Sequence, residues 1–234
     1  MECVIDLASV SKEYLSGENS FKALDDISFQ IDEKQVVVFW GPSGAGKTTL
    51  LNIISGLEKP SHGEVRVLGL SLEDSDEDFL ALFRCINIGF IFQSYNLVSS
   101  LTARENVELM MELAGWHDDG RNARLASELI RSVGLSDRAN HLPAQLSWGE
   151  QQRVAIARAL ANDPRIILAD EPTGNLDSST GREIIELLRR SSEEHGKTVV
   201  ITTHDERIAG LAHVIFHLDK GRLKAVDRPD RIRH

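Results

Sequence analysis

Gly41-Pro42-Ser43-Gly44-Ala45-Gly46-Lys47-Thr48 satisfies G-x-x-x-x-G-K-[ST], directly after the apolar run Val36–Trp40 and at the head of a helical pattern. In that setting the glycines let the backbone wrap until successive N–H groups face phosphate oxygens, and the partial positive charge of the helix N-terminus adds to them. Lys47 is placed to reach the β- and γ-phosphates of a nucleotide. Thr48 is placed to offer its hydroxyl to Mg²⁺, a hard cation that takes oxygen ligands and borrows some from the nucleotide. A strand, a phosphate-binding turn and a helix in this order open an α/β domain.

Outward from the cradle, Leu50, Ile53, Ile54 and Leu57 recur at helical spacing, with Gly56 and Pro60 as stop signals. Upstream, Val4–Val10 and Ala23–Ile31 read as strands, and downstream Glu64–Leu68 reads as another. The middle, Ser71–Leu142, is helix-rich around a predicted strand Ile86–Phe92, with helices expected over Thr102–Leu113 and about Asp118–Val133. In the last third, helices Glu150–Ala161 and Thr180–Ser192 alternate with strands Arg165–Ala169 and Thr198–Thr202, before a short helix and two short strands. Such alternation implies a parallel sheet covered by helices. No repeat or long linker divides the chain, so residues 1–234 read as one domain: a core of 1–92 and 163–234 with a helical insertion over 93–162.

Composition excludes several classes. The 234 residues carry 26 Lys+Arg against 36 Asp+Glu, a formal charge of -10 that argues against general affinity for nucleic acid or an anionic lipid surface. The longest apolar runs, Val36–Trp40 and Phe79–Phe83, fall far short of the roughly 18 residues of a membrane-spanning helix. The start, Met1 to Asp6, lacks a basic region followed by an apolar stretch, so a cytoplasmic chain is expected. Cys3 and Cys85 are too isolated for a disulfide framework or zinc site and read as reduced packing residues.

A phosphate cradle calls for acids, and Ile166-Ile167-Leu168-Ala169-Asp170-Glu171 supplies two at the end of an apolar strand. Asp170 suits the water shell of Mg²⁺, and Glu171 suits polarising a water for attack on the γ-phosphorus. Neighbouring parallel strands are expected to bring it beside the cradle.

Leu146-Ser147-Trp148-Gly149-Glu150-Gln151-Gln152-Arg153 resembles the signature of ATP-binding cassette ATPases, a family of P-loop NTPases. With the cradle, Asp170-Glu171, Gln93 after its strand and His204 after Thr198–Thr202, the motif order resembles that family over nearly the whole chain. Glu171-Pro172-Thr173-Gly174-Asn175-Leu176-Asp177 and Gln151-Gln152-Arg153-Val154-Ala155-Ile156-Ala157-Arg158-Ala159-Leu160 are similar to the lipoprotein-releasing, macrolide-exporting and cell-division members, the LolD/MacB/FtsE-like group.

The resemblance implies a mainly parallel sheet core, an N-terminal antiparallel β subdomain and an inserted helical subdomain. It also implies a head-to-tail dimer in which each MgATP lies between the cradle of one copy and the signature of the other. Nucleotide contacts are then expected from Gly41, Pro42, Ser43, Gly44, Ala45, Gly46, Lys47, Thr48 and Thr49, and across the interface from Ser147, Gly149, Glu150 and Asp177. Mg²⁺ is expected on Thr48, Asp170 and Gln93. Catalysis falls to Glu171 as base, with Lys47, Gln93 and His204 around the γ-phosphate and the water. Tyr14 is the candidate to stack on adenine, since aromatic rings bind bases through their faces. The stretch Ser94–Val98 is expected to line the groove for a transmembrane partner's coupling helix. Trp148 stands where many members carry glycine, from which altered packing is expected.

The function so implied is ATP hydrolysis that drives export or extraction through separate transmembrane permease subunits, at the cytoplasmic face of the inner membrane. The alternative is a mechanical or regulatory ATPase that moves no cargo. No Asn-Lys-x-Asp motif of a GTPase is present. The long coiled-coil insertion or tandem cassette usual in DNA-repair and translation relatives is absent from this sequence.

Overall fold

The computed structural model describes residues 2–16 and 19–229; the readings that touch Met1 and the end of the chain lie outside these. Two long strands open the chain, β1 (Cys3–Ser16) and β2 (Asn19–Asp32), followed by β3 (Val36–Trp40), helix α1 (Lys47–Ile54), β4 (His62–Val67) and the short β5 (Leu70–Ser71). Next come α2 (Glu77–Asn87), β6 (Ile88–Ile91), α3 (Ala103–Leu113), α4 (Asp119–Ser132) and α5 (Trp148–Ala159). The chain closes with β7 (Ile166–Asp170), α6 (Ser178–Glu193), β8 (Thr198–Thr203), α7 (Glu206–Ala209), β9 (Val214–Asp219) and β10 (Arg222–Asp227).

The strands form an antiparallel sheet ordered β2-β1-β4-β5 and a six-stranded sheet ordered β10-β9-β3-β8-β7-β6. In the larger sheet every pairing is parallel except that of β10 with β9. The expected α/β architecture, with its N-terminal antiparallel sheet, is therefore the one found. β7 does not lie next to β3, because β8 runs between them and pairs with both.

Alternation along each buried strand sorts the core into two layers. From β3, Val37 and Phe39 join one cluster with α1 and the antiparallel sheet, while Val36 and Val38 join the other with α3 to α6. β7 divides likewise, Ile166 and Leu168 against Ile167 and Ala169. A strand that is apolar on both faces has to be covered on both, which explains its unbroken apolar sequence.

Elsewhere the boundaries move. Ile86 and Asn87, expected in a strand, close α2, whose first turn is capped by Asp76 accepting from the Phe79 amide. An apolar run alone does not separate the end of a buried helix from a strand. Leu57 lies past the end of α1 and is 45% exposed, whereas Leu51 takes a buried place on that helix. Helix α5 begins at Trp148 because Ser147 and Glu150 form a capping box, each side chain accepting from the other's amide.

The contact between β6 and α5 depends on Gly89. A Cβ there would stand 2.2 Å from the Ala159 carbonyl oxygen and 3.1 Å from Pro164, so only a glycine lets helix and strand approach this closely. Gly89→Ala is expected to cost about 1–3 kcal/mol by overpacking. At roughly 2–4 °C per kcal/mol for a domain of this size, thermal unfolding should shift down by about 2–12 °C. An unchanged melting temperature would show that the interface yields without cost.

Candidate functional site

Four strand ends meet along one edge of the large sheet. β3, β8, β7 and β6 are parallel neighbours, so their carboxyl ends deliver Gly41–Thr48, His204, Asp170–Glu171 and Gln93 to the same side. This is the edge at which open α/β sheets hold ligands. A cleft of about 550 Å³ opens there, lined by Ser43, Gly44, Gly46, Lys47, Thr48, Thr49, Gln93, Asp170, Glu171 and His204, with Phe21, Lys22, Ala23 and Lys220 on the other wall.

The cradle is built as its spacing predicts. Gly46 has φ +100°, and a Cβ on it would stand 2.4 Å from the Ala23 carbonyl oxygen, so the turn is both left-handed and closed against β2. Lys47 is 6% exposed; its Nζ donates to the carbonyls of Gly41 at 2.7 Å and Pro42 at 3.2 Å, and pairs with Glu171 Oε1 at 3.0 Å. Its ammonium is thus pinned at the mouth of the turn.

Asp170 is 5% exposed and accepts two hydroxyl hydrogen bonds, from Thr202 at 2.5 Å and Thr48 at 2.8 Å. The Thr48 hydroxyl beside the Asp170 carboxylate is an all-oxygen donor pair that suits Mg²⁺, which completes its shell with water and phosphate oxygens. Among the described residues there is no cluster of three or more His, Cys, Asp or Glu that would hold a metal unaided.

Glu171 adopts φ 45°, a left-handed backbone that side chains other than Gly, Asn and Asp rarely take. Its carboxylate, 10% exposed, lies between Lys47 and His204, whose Nδ1 is 3.0 Å from Oε2. His204 itself is 61% exposed and faces the cleft.

Other predicted residues stand apart. Ser147, Trp148, Gly149, Glu150 and Asp177 line a separate depression with Asn175 and Thr180. There Glu150 turns its carboxylate back onto the Ser147 amide at 2.8 Å and Arg138 at 3.1 Å, bonds that hold it below the ordinary range. Asp177 caps α6, and the hydroxyls of Ser179 and Thr180, with their amides, hold its carboxyl far below the usual carboxylate range. Trp148 is 63% exposed, with its ring edge-on to Tyr95.

Tyr14 reaches the cleft at one remove. Its hydroxyl donates to Glu58 at 2.5 Å and its ring stacks on Phe21, centroids 5.4 Å apart, while Phe21 is the ring on the cleft wall. Sequence reasoning missed Phe21; its only signal was an aromatic residue at an exposed position of a strand that borders the cradle. Of Ser94–Val98, Tyr95 is buried and Leu97 packs on the second core layer. The apolar groove nearby is lined instead by Leu57, Leu82, Cys85, Phe90, Phe92 and Leu113, with α2, β6 and α3 supplying most of its wall.

Comparison with known proteins agrees with this geometry. Residues 24–174 match the family described as ABC transporter. An uncharacterized ABC transporter ATP-binding protein of Thermotoga maritima is 49% identical over 97% of both chains. The macrolide export ATP-binding/permease protein MacB of Salmonella typhimurium is 47% identical over 95% of this chain and 34% of its own length. The solved dimer of a Methanocaldococcus jannaschii ATP-binding cassette in a post-hydrolysis state, bound to ADP and Pi, superposes with a TM-score of 0.91 at 45% identity over 96% of this chain and 98% of that one. The chain belongs to the ABC transporter family, as an ATP-binding cassette of the group that includes the MacB cassette.

Proposed function

We propose that this cassette binds MgATP in the cleft at the end of β3, closes on it with a second copy of itself, and hydrolyses it to drive separate transmembrane permease subunits. One observation supports this most directly: the cradle, both acids, Gln93 and His204 share one cleft, while the signature residues occupy a surface elsewhere on the same chain. A cleft that lacks the signature and a signature that lacks a cleft complement each other only between two copies, head to tail.

On this reading the cradle amides and Lys47 bind the β- and γ-phosphates. A phosphate that draws Lys47 away from Glu171 frees that carboxylate to take a proton from the attacking water, with His204 still beside it. Thr48, Asp170 and Gln93 would hold Mg²⁺ together with the phosphates, and the ion would supply charge neutralisation on the transferring group. Ser147 and the amides near Gly149 present a capped helix N-terminus, an anion-binding arrangement, to the second copy's γ-phosphate. Asp177 lies beside that surface and would cross the interface. Phe21, backed by the stacked ring of Tyr14, offers an aromatic face to adenine. Most of the rate enhancement then comes from positioning and preorganised charge.

Among the described residues no helix is long and apolar enough to cross a membrane. MacB carries its permease on the same chain as its cassette, as its name states, and the present sequence covers only that cassette's share. On the proposed reading the cassette works with transmembrane permease subunits and sits through them at the cytoplasmic face of the membrane. The groove lined by Leu82, Phe90, Phe92 and Leu113 is the surface we assign to them.

Two variants test the assignment. Glu171→Gln should lower turnover by roughly 100-fold or more, as expected for loss of a general base, and should accumulate an ATP-bound dimer on size-exclusion chromatography. Hydrolysis at the parental rate would remove Glu171 from the role. Lys47→Ala should abolish turnover and weaken ATP binding by at least about tenfold, measured with a fluorescent nucleotide, through loss of a charge-assisted contact. Parental affinity would mean that the phosphates lie elsewhere.

A further inference from the structure

Helix α5, which begins with the signature residues, is tied by two side chains, buried Gln152 and partly buried Arg158 on the wall of the apolar groove, to the backbone of both loops that carry catalytic groups. Gln152 is 1% exposed and donates from Nε2 to the Pro172 carbonyl at 2.8 Å, immediately after Glu171. Arg158 donates from Nη1 to the Asn96 carbonyl at 2.6 Å and from Nη2 to the Tyr95 carbonyl at 2.8 Å, just after Gln93. A third contact, the Trp148 ring against the buried ring of Tyr95, adds to the second tie.

Each tie falls beside strained backbone. Tyr95 has φ 61° and Glu171 has φ 45°, while Asn96, at φ 49°, is of a type that tolerates this region. Side chains other than Gly, Asn and Asp seldom adopt this region, and such strain persists where the surroundings over-determine it. Arg158 is an expensive way to satisfy two carbonyls if that were its whole purpose. Burial pushes its pKa down to about 10, whereas a neutral donor would carry no such penalty. What the guanidinium offers instead is a rigid fork that fixes two adjacent carbonyls at once.

We propose that Gln152 and Arg158 are positioning residues that hold the loops after Glu171 and Gln93 in register from a single helix, so that a displacement of α5 moves both catalytic groups together. The proposal rests on the catalytic roles given above to Glu171 and Gln93. It makes the helix that faces the second copy's nucleotide also the element that sets the geometry of the chain's own site. Closure of the signature on one site is thereby linked to the register of the other.

The test is a set of kinetic cycles on the full chain. Arg158→Met and Gln152→Met keep the apolar stems and remove the donors. Each should lower kcat for ATP hydrolysis by about tenfold or more, the scale on which small misplacements act, while the Kd for ATP stays within about twofold because the cradle is untouched. Arg158→Lys should restore part of kcat, since an ammonium reaches one carbonyl but lacks the fork. In a Gln93→Ala background, Arg158→Met should add less than about twofold, because both act on the same loop, whereas Gln152→Met should keep its full effect. Parental kcat in the Met variants, or an undiminished Arg158→Met effect on Gln93→Ala, would overturn the proposal. An unimpaired Gln93→Ala would instead overturn the catalytic reading of Gln93, and the Arg158 half of the proposal with it. Should Arg158→Met fail to fold, Arg158→Lys alone decides, parental kcat counting against and a reduced kcat at unchanged Kd counting for.

Discussion

The carboxylate of Asp170, buried between the hydroxyls of Thr48 and Thr202, joins three segments that arrive at the cleft from different parts of the chain. Thr48 opens α1, Thr202 lies on β8, and Asp170 ends β7. A buried carboxylate is costly unless its oxygens are hydrogen-bonded, so this pair of hydroxyls fixes how far the cradle stands from the acids. Glu171, next along the chain, inherits that distance and meets Lys47 at 3.0 Å. If the Asp170 tie were looser, neither the Thr48 and Asp170 oxygens nor the Glu171 carboxylate would have a defined place relative to the turn Gly41–Thr48.

The same sheet edge explains what was legible in the sequence and what was not. The cradle was readable because its chemistry demands particular residues at fixed spacing: glycines where the turn is left-handed, a lysine at its mouth, a hydroxyl on the first helical turn. The acids after Ile166–Ala169 were readable because a run apolar on both faces must end where the sheet meets water. Strand order was not readable. Nothing local in β7 says that β8 comes between it and β3, since that choice depends on how connecting helices pack on each face. Ile86 and Asn87 were misplaced because a short apolar run carries no period, and Leu57 because the helix stops a turn before the pattern does. Phe21, Gln152 and Arg158 escaped notice for a related reason: their partners are main-chain atoms or a neighbouring ring, and such contacts leave no spacing signature.

Electrostatics reinforce the division of labour between the two surfaces. A chain with a formal charge of -10 would bind a polyanionic nucleotide only where positive potential is local, and the cleft supplies it through the cradle amides, Lys47 at the head of α1, and Lys22 and Lys220 on its wall. The signature surface has the same character on a smaller scale, a capped helix start whose neighbouring acids, Glu150 and Asp177, are turned onto amides, hydroxyls and Arg138. Each surface is an incomplete anion site. On the proposed function the two would enclose a triphosphate from opposite sides, with nucleotide as the adhesive between copies.

That complementarity is tested most directly by mixing two disabled chains. Lys47→Ala lacks a working cradle and keeps its signature; Ser147→Arg keeps its cradle and blocks its signature with a bulky cation. Each alone should be inactive. Mixed, they can form a dimer in which the intact cradle of one meets the intact signature of the other, and ATPase activity should rise well above that of either preparation. A mixture as inactive as its components, under conditions where mixed dimers are demonstrated by differential tagging, would contradict the claim that one site is assembled from two copies.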